Sequence, residues 1–383
     1  MKDEEYMLRA IGLAEKGRGF TNPNPCVGAV IVKDGRIIGE GYHERCGELH
    51  AERNAIKHLT ESAEDATMYV TLEPCCHYGK TPPCTEAIIE NKITKVVIGS
   101  RDPNPLVAGK GAAILREAGI EVVEDFMREE CDKLNDVFFH FITTGMPYTV
   151  LKYAMTADGK TATKTGASKW ITGEVARNKV QYLRHNYAAI AAGIGTVLAD
   201  DPLLNVRVKG LTSPVRVICD SKLRIPLDCQ ICKTAGNYRT IVACNYNRLY
   251  DNPNRKIHNK IKALEDMGVE VVSFPGQDGR VDLYGLMKYL GEHKIDSVLV
   301  EGGGMLNEGI LKAGLANEVN VFIAPKIFGG SGSISPVEGL GVDVPSDAYM
   351  LKLHHMEMVG DDLLLNYKVV NKELMIHTAQ FIL

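Results

Sequence analysis

The chain has 383 residues, long enough for two or three domains with cores of their own. With 45% hydrophobic and 24% charged residues it has the make-up of an ordinary globular protein, and no run of about 18 apolar residues marks a membrane-spanning helix. Charge is uneven: residues 1–145 hold 17 Lys and Arg against 24 Asp and Glu, a net of −7, whereas the remainder nets +3, so the first half is a poor binder of polyanions and the second tolerates phosphorylated ligands.

The opening residues MKDEEYMLRAIGLAEKG are acidic and amphipathic, unlike a signal peptide, and ten cysteines are too sparse for a disulfide scaffold, so a cytoplasmic setting is expected. Residues 4–17 predict an amphipathic helix with Met7, Leu8, Ile11 and Ala14 on its apolar face. VGAVIVKDGRIIGEGYH predicts a hairpin, because two β-branched runs flank Lys33-Asp34-Gly35 and Asp-Gly is a strong turn signal. ELHAERNAIKHL reads as a helix, ATMYVTLEP as a strand ended by Pro74, and PPCTEAIIENK as a helix with prolines at its entrance. KVVIGS is a further strand, and GKGAAILREAGIEVVED a helix, a glycine stop and a short strand. This alternation predicts a layered α/β unit. Near residues 144–148 the pattern resets, which divides the chain into units 1–145 and 146–370 and leaves 371–383 as a tail of no clear role. A second α/β alternation runs through AAIAAGIGTV, PVRVICDS, RTIVACN, VEVVSF, DSVLVEGGG and VNVFIAPKIFG, and HMEMVGDDLLLNYKVV closes it as an antiparallel pair.

The first unit carries a metal pattern. His50 and Glu52 sit early on one predicted helix, and Cys75 and Cys84 flank a loop, with Cys84 entering the next helix. One imidazole and two thiolates leave one tetrahedral position open, as a catalytic zinc needs. Glu52, two residues from a ligand, is placed to take a proton from a water and pass it to a leaving amine. The layout is that of the zinc deaminases, H-x-E followed by P-C-x-x-C, with one departure: eight residues separate the cysteines here. The insert CHYGKTPP brings in Lys80, a cation suited to a substrate phosphate or carbonyl. The bland alternative is a structural zinc site with Cys76 or His77 as fourth ligand, which leaves Glu52 without a task.

NPNPCVGAVIVKDGRIIGEGYH, HAE, TLEPCCHYGKTPPC and DPNPLVAGKG in the first unit, with GASKWIT, GTVLADDPLLNVR, VEGGG and APKIFGG in the second, resemble the bifunctional riboflavin-biosynthesis deaminase/reductase family. The long cysteine spacing is a mark of that family, and Cys76 departs from its serine. The resemblance implies a cytidine-deaminase-like α/β/α domain with a mixed sheet, then a dihydrofolate-reductase-like α/β domain. It implies zinc-dependent deamination of 2,5-diamino-6-(5-phosphoribosylamino)pyrimidin-4(3H)-one, followed by NADPH-dependent reduction of the ribosyl side chain to ribityl. By resemblance His50, Cys75 and Cys84 hold one zinc ion, Glu52 shuttles protons, and Asn24, His43, Lys80, Asp102 and Asn104 line the pyrimidine pocket. Asn24, Asp102 and Asn104 precede prolines, so turn-capping is their rival role.

In the second unit no G-x-G-x-x-G follows the first strand. Gly193-Ile194-Gly195-Thr196 and Glu301-Gly302-Gly303-Gly304 each follow a strand-like run, where glycines admit a dinucleotide backbone. The resemblance implies NADPH contacts at Ala154, Trp170, Thr196, Asp200, Ser221, Gly303 and Gly304. It implies substrate contacts at Ser168, Arg184, Leu204, Arg207 and Glu301, with Lys152 close by, and the two arginines suit a phosphate clamp. Trp170, the single tryptophan, suits the core as well as a stacking role. Cys229 and Cys232 form a C-x-x-C in a predicted loop and read as coincidence rather than a redox pair.

Two rivals remain. A nucleic-acid base deaminase with an appended domain needs a basic surface and aromatics for a flipped base, which a net of −7 does not offer. A zinc-stabilised binding protein needs neither Glu52 nor NADPH. The expected partners are a small phosphorylated pyrimidine and further copies of the chain, as dimer or tetramer, with no nucleic acid and no membrane.

Overall fold

In the computed structural model of the protein, which describes residues 2–79, 82–105, 107–246, 255–276 and 278–370, the chain forms two compact units divided between Met146 and Pro147. Lys80 and the tail 371–383 lie outside the described residues. No helix among the described residues is long and apolar enough to cross a membrane.

The first unit runs α1 (Asp3–Ala14), β1 (Gly28–Lys33), β2 (Arg36–Tyr42), α2 (Ala51–Lys57), β3 (Thr67–Leu72), α3 (Cys84–Glu90), β4 (Lys95–Ser100), α4 (Lys110–Glu117), β5 (Glu121–Val123), α5 (Arg128–Asp132) and α6 (Asp136–Thr144). Its five strands make one mixed sheet in the order β2-β1-β3-β4-β5, antiparallel at β1 and parallel from β3 to β5. The hairpin forms where Asp34-Gly35 predicts it, both residues taking positive φ. Alternation along β1 explains the layers. Ala29 and Ile31 face α2, α3, α4 and α6, while Val30 and Val32 face Tyr6, Met7, Ala10 and Leu13 of α1. The helix expected to reach residue 17 stops at Ala14 and tightens into a 3-10 turn over Glu15–Gly17.

The second unit runs β6 (Tyr148–Thr156), α7 (Glu174–Asn186), β7 (Ala189–Gly193), α8 (Ile194–Asp200), β8 (Val215–Cys219), α9 (Gln230–Lys233), β9 (Thr240–Cys244), α10 (Arg255–Asp266), β10 (Val269–Ser273), α11 (Leu283–Glu292), β11 (Ser297–Glu301), α12 (Gly304–Lys312), β12 (Glu318–Ala324), β13 (Leu351–Val359) and β14 (Asp362–Val369). Nine strands form one sheet in the order β10-β9-β8-β7-β11-β6-β12-β14-β13. It is parallel from β10 to β12, and the β13–β14 hairpin adds the antiparallel end. β9 and β11 are buried along their whole length, so they read as continuous apolar runs rather than alternating ones. Cys229 and Cys232 are not in a loop. Cys229 caps and Cys232 lies within the one-turn helix α9, and both thiols are packed into the apolar cluster of β7–β10.

Candidate functional site

The metal pattern converges at the carboxyl end of β3. His50 is not inside α2 but is its extended N-cap, and Glu52 follows in the first turn, only 3% exposed. Cys84 opens α3 behind Pro83, and its backbone N–H donates to the Cys75 carbonyl at 3.0 Å and to the Cys75 sulfur at 3.4 Å. His50 Nδ1 lies 3.4 Å from Cys75 Sγ and 3.5 Å from Cys84 Sγ, and all three ligand atoms fall within 4.8 Å of one another. Zinc bonds of about 2.1 Å to nitrogen and about 2.3 Å to sulfur give tetrahedral N–S edges of about 3.6 Å, so the residues fit the ion. Cys76 and His77 are not part of this cluster.

The electrostatics of the cluster point the same way. Hydrogen bonding from Cys84 outweighs burial and, with His50, brings the Cys75 thiol down to about 4. The hydrogen bond to Cys75, together with burial, pushes Cys84 well above the thiol range. Burial, helped by the charge on Cys75, raises Glu52 to about 7. Crowded acids that hinder one another's ionisation are the donor set a divalent cation relieves.

Around this cluster, Asn24 Nδ2 lies 3.1 Å from His43 Nε2, and His43 Nδ1 lies 3.0 Å from the Leu49 carbonyl. The carbonyl can only accept, so Nδ1 carries the proton and Nε2 accepts from Asn24. Burial lowers the His43 pKa and favours this neutral form. The His43 ring meets the His50 ring edge-on at 5.4 Å. Asp102 is buried, which raises its carboxyl to about 6, and one oxygen accepts the Asn104 N–H at 2.8 Å. Sequence reasoning missed Arg53, whose guanidinium donates to the carbonyls of Pro82 and Pro83 and pins the entry to Cys84. No spacing rule signals such a contact.

In the second unit all thirteen expected positions line one cleft of ≈1680 Å³. Sites for one small ligand measure about 300–1,000 Å³, so this cleft has room for a dinucleotide and a second molecule. Lys152 and Ala154 come from β6, Ser168 and Trp170 from the loop after it, and Arg184 from α7. Thr196 and Asp200 come from α8, Leu204 and Arg207 from the following loop, and Ser221 from the end of β8. Glu301, Gly303 and Gly304 come from the turn between β11 and α12. Gly303 has φ 86° as the N-cap of α12, a left-handed conformation suited to glycine. Asn307 of the same helix is 1% exposed and lines the cleft with an Oδ1 that has no protein partner, which suits a bound polar cofactor. Trp170 is 61% exposed, so its core alternative falls, and the Arg177 guanidinium sits 4.6 Å from its ring centre.

The two arginines differ. Arg184 is committed: it forks onto Glu301 at 2.8 and 3.0 Å and also donates to the Asn205 carbonyl. Lys152 Nζ adds a third charge 3.5 Å from Glu301. Burial opposes ionisation of Glu301, but the Arg184 and Lys152 cations outweigh it and hold the carboxyl at about 2. Arg207 is exposed within the cleft, so of the two it is the one open to a phosphate.

Comparison with known proteins agrees with this geometry. Residues 1–100 match the cytidine and deoxycytidylate deaminase zinc-binding region, and residues 147–365 match the RibD C-terminal domain. The chain is 53% identical over 371 residues to the riboflavin biosynthesis protein RibD of Actinobacillus pleuropneumoniae, covering 97% of this chain and 96% of that protein. It is 41% identical to the Escherichia coli (strain K12) protein of the same name, covering 96% and 99%. Among solved structures it is similar to Acinetobacter baumannii RibD, form 1, with TM-score 0.84, 38% identity and 96% and 99% coverage. It is likewise similar to the Thermotoga maritima diaminohydroxyphosphoribosylaminopyrimidine deaminase/5-amino-6-(5-phosphoribosylamino)uracil reductase, with TM-score 0.83, 41% identity and 96% and 98% coverage. The first unit is thus cytidine-deaminase-like and the second a reductase of the dihydrofolate-reductase-like class, and the nucleic-acid rival is not favoured. The chain belongs to the RibD family of riboflavin-biosynthesis proteins, as a bifunctional deaminase and reductase that uses zinc and NADPH.

Proposed function

We propose that His50, Cys75 and Cys84 hold the zinc of the deaminase, that Glu52 is its proton carrier, and that the cleft of the second unit binds NADPH and the deaminated product. The substrate is the small molecule 2,5-diamino-6-(5-phosphoribosylamino)pyrimidin-4(3H)-one, not a nucleic acid. The observation that carries the reading is the three-ligand cluster at tetrahedral spacing with the buried Glu52 beside it. Zinc held by these three residues would supply Lewis acidity that acidifies a water. Glu52 takes a proton from the attacking water and delivers it to the exocyclic nitrogen, so the C–N bond breaks and ammonia leaves. Asn24, His43, Asp102 and Asn104 present amide, imidazole and carboxylate groups that match the donors and acceptors of a pyrimidine edge; Lys80 completes this reading from outside the described residues.

For the reduction, reduced nicotinamide supplies the hydride when bound. Ala154, Trp170, Thr196, Asp200, Ser221, Gly303 and Gly304 are its contacts in this reading, and Ser168, Leu204, Arg207 and the Lys152–Glu301–Arg184 group face the substrate. Lys152 is the buried ammonium from which the accompanying proton is drawn, and Arg207 takes the phosphate. The enzyme is further proposed to be a cytoplasmic homo-oligomer. Supporting this, the edge strand β13 exposes Leu353, Met356 and Met358, an apolar edge suited to another copy.

Glu52→Gln and Cys84→Ala test the first site. The amide cannot accept the water's proton, so E52Q should keep zinc and lose deamination by at least about a hundredfold. C84A should lose the metal itself. An active E52Q, or stoichiometric zinc in C84A, would overturn the assignment.

A further inference from the structure

Between the end of β3 and Cys75 lies a buried carboxylate that the reaction does not use. Glu73 is 4% exposed. Its Oε2 accepts the backbone N–H of Gly109 at 3.0 Å and of Asp102 at 3.4 Å, and its Oε1 accepts that of Ala112 at 3.2 Å. Its own N–H donates to the Ser100 carbonyl at 2.9 Å. These partners bracket the loop from β4 to α4, the loop that carries Asp102 and Asn104.

The start of α4 shows why the carboxylate is needed. Its N-cap is Gly109, which has no side chain to receive the orphan N–H groups of the first turn. Glu73 takes the N-cap and third-residue N–H groups from across the sheet, with its negative charge at the positive end of the helix. The approach is close: a Cβ on Gly111 would collide with the Pro74 carbonyl oxygen and sit 3.2 Å from Glu73 Oε1. Within the loop, the Asp102 carboxylate accepts the Asn104 N–H, so the two residues move as one turn.

We propose that Glu73 is a positioning residue of the deaminase, fixing the Asp102–Asn104 turn at the separation from the Cys75 ligand loop that the pyrimidine ring requires. The inference rests on the reading of Asp102 and Asn104 as base-reading residues. Its consequence is specific. The metal ligands hang on α2, α3 and the hydrogen bonds between Cys75 and Cys84, none of which passes through the Glu73 carboxylate. Loss of that carboxylate releases the substrate loop and leaves the metal site in place.

The test uses the full-length, zinc-loaded enzyme. Ammonia release from the diamino substrate gives kcat and KM, metal analysis gives zinc content, and the reductase rate reports the integrity of the rest of the chain. E73A should raise the deaminase KM about tenfold or more, within the roughly hundredfold that a 1 Å misplacement costs. Zinc content and reductase rate should stay at wild-type values. E73Q should recover part of the loss, because its amide oxygen still accepts from Gly109 and Asp102 while its NH2 opposes the Ala112 N–H. G111A, which pushes α4 away from Pro74, should shift KM in the same direction. N104A separates the inference from its foundation: an unchanged KM there removes the base-reading assignment. A raised KM in N104A with an unchanged KM in E73A removes the role of Glu73 alone. Loss of zinc in E73A, or of kcat at constant KM, also overturns it, since Glu73 would then support the metal or the fold. If E73A does not fold, E73Q and G111A decide, and wild-type KM in both overturns the proposal.

Discussion

Glu301→Gln removes one charge and almost no volume, so it isolates the electrostatics of the reductase cleft. Glu301 is 9% exposed, and the side chains of Arg184 and Lys152 are 13% and 12% exposed. Stripping the anion leaves two cations in a desolvated place, and breaking such a buried group costs about 3–5 kcal/mol. The pH behaviour gives a second estimate. Burial alone would raise the Glu301 carboxyl; the Arg184 and Lys152 charges overcome this and hold it at about 2. Against an unfolded value of about 4.3, that corresponds to roughly 3 kcal/mol. Because the folded value is the lower one, this stability is present above about pH 4.3 and is lost as pH falls towards 2. The assay is urea unfolding of wild type and E301Q across pH, followed by Trp170 fluorescence, which reports the second unit alone because the chain has no other tryptophan. At neutral pH the variant should be less stable by about 3 kcal/mol, and the gap should narrow below about pH 4.3 and nearly close at pH 2. A gap that stays constant through that window, or one below about 1 kcal/mol at neutral pH, would refute the account, since about 1 kcal/mol is what a solvated surface pair is worth.

Arg207→Ala should raise KM for reduction about tenfold, since a charge-assisted contact to phosphate is worth about 1.5–3 kcal/mol, and should leave deamination unchanged; an unaltered KM would place Arg207 on an idle surface. The division between Met146 and Pro147, with a separate apolar core in each unit, predicts that residues 1–146 alone bind zinc and release ammonia without NADPH. Residues 147–383 should bind NADPH and reduce only the deaminated compound, and folded pieces with neither activity would contradict this modularity.

Much of the molecule was legible because it depends on local chemistry. Asp34-Gly35 forms its turn whatever surrounds it, and the apolar strands declare themselves by residue type. His50, Glu52, Cys75 and Cys84 stand out because a metal centre demands scarce residues in a strand–helix setting. What the sequence does not reveal depends on distant partners. Nothing near Arg184 in sequence reveals that Glu301, 117 positions away, occupies its guanidinium. The Cys26 backbone is likewise satisfied from 109 positions away, by the amide of Asn135. His50 reads as helical from periodicity, yet it serves as the extended residue before the helix, which aims its ring at the cysteines. Cys229 and Cys232 read as loop residues, yet one caps and the other lies within α9, packed into the apolar cluster of β7–β10, and burial is not encoded in spacing.

The two sites look unrelated, yet they use one feature of parallel sheets. Where a strand hands over to a helix, the first N–H groups of that helix have no partner within it and its dipole is positive. In the first unit this position gathers acidic groups of the protein itself: Cys75 and Glu73 after β3, Asp102 after β4, and Cys84 at the head of α3. In the second unit glycines stand there instead, Gly193 before α8 and Gly303 before α12. The His50–Cys75–Cys84 cluster and the cleft of the second unit thus differ in what stands at the same end of the sheet, acidic groups in one and glycines in the other, with the Glu338 side chain packed beside Gly304 at the head of α12. The opposite ends of these strands carry a different kind of chemistry. At the start of β6, Lys368 donates to the Tyr148 hydroxyl at 2.6 Å and to Glu318 at 3.0 Å, and the Tyr148 hydroxyl donates to the same carboxylate. That cluster ties the amino ends of β6 and β12 to β14.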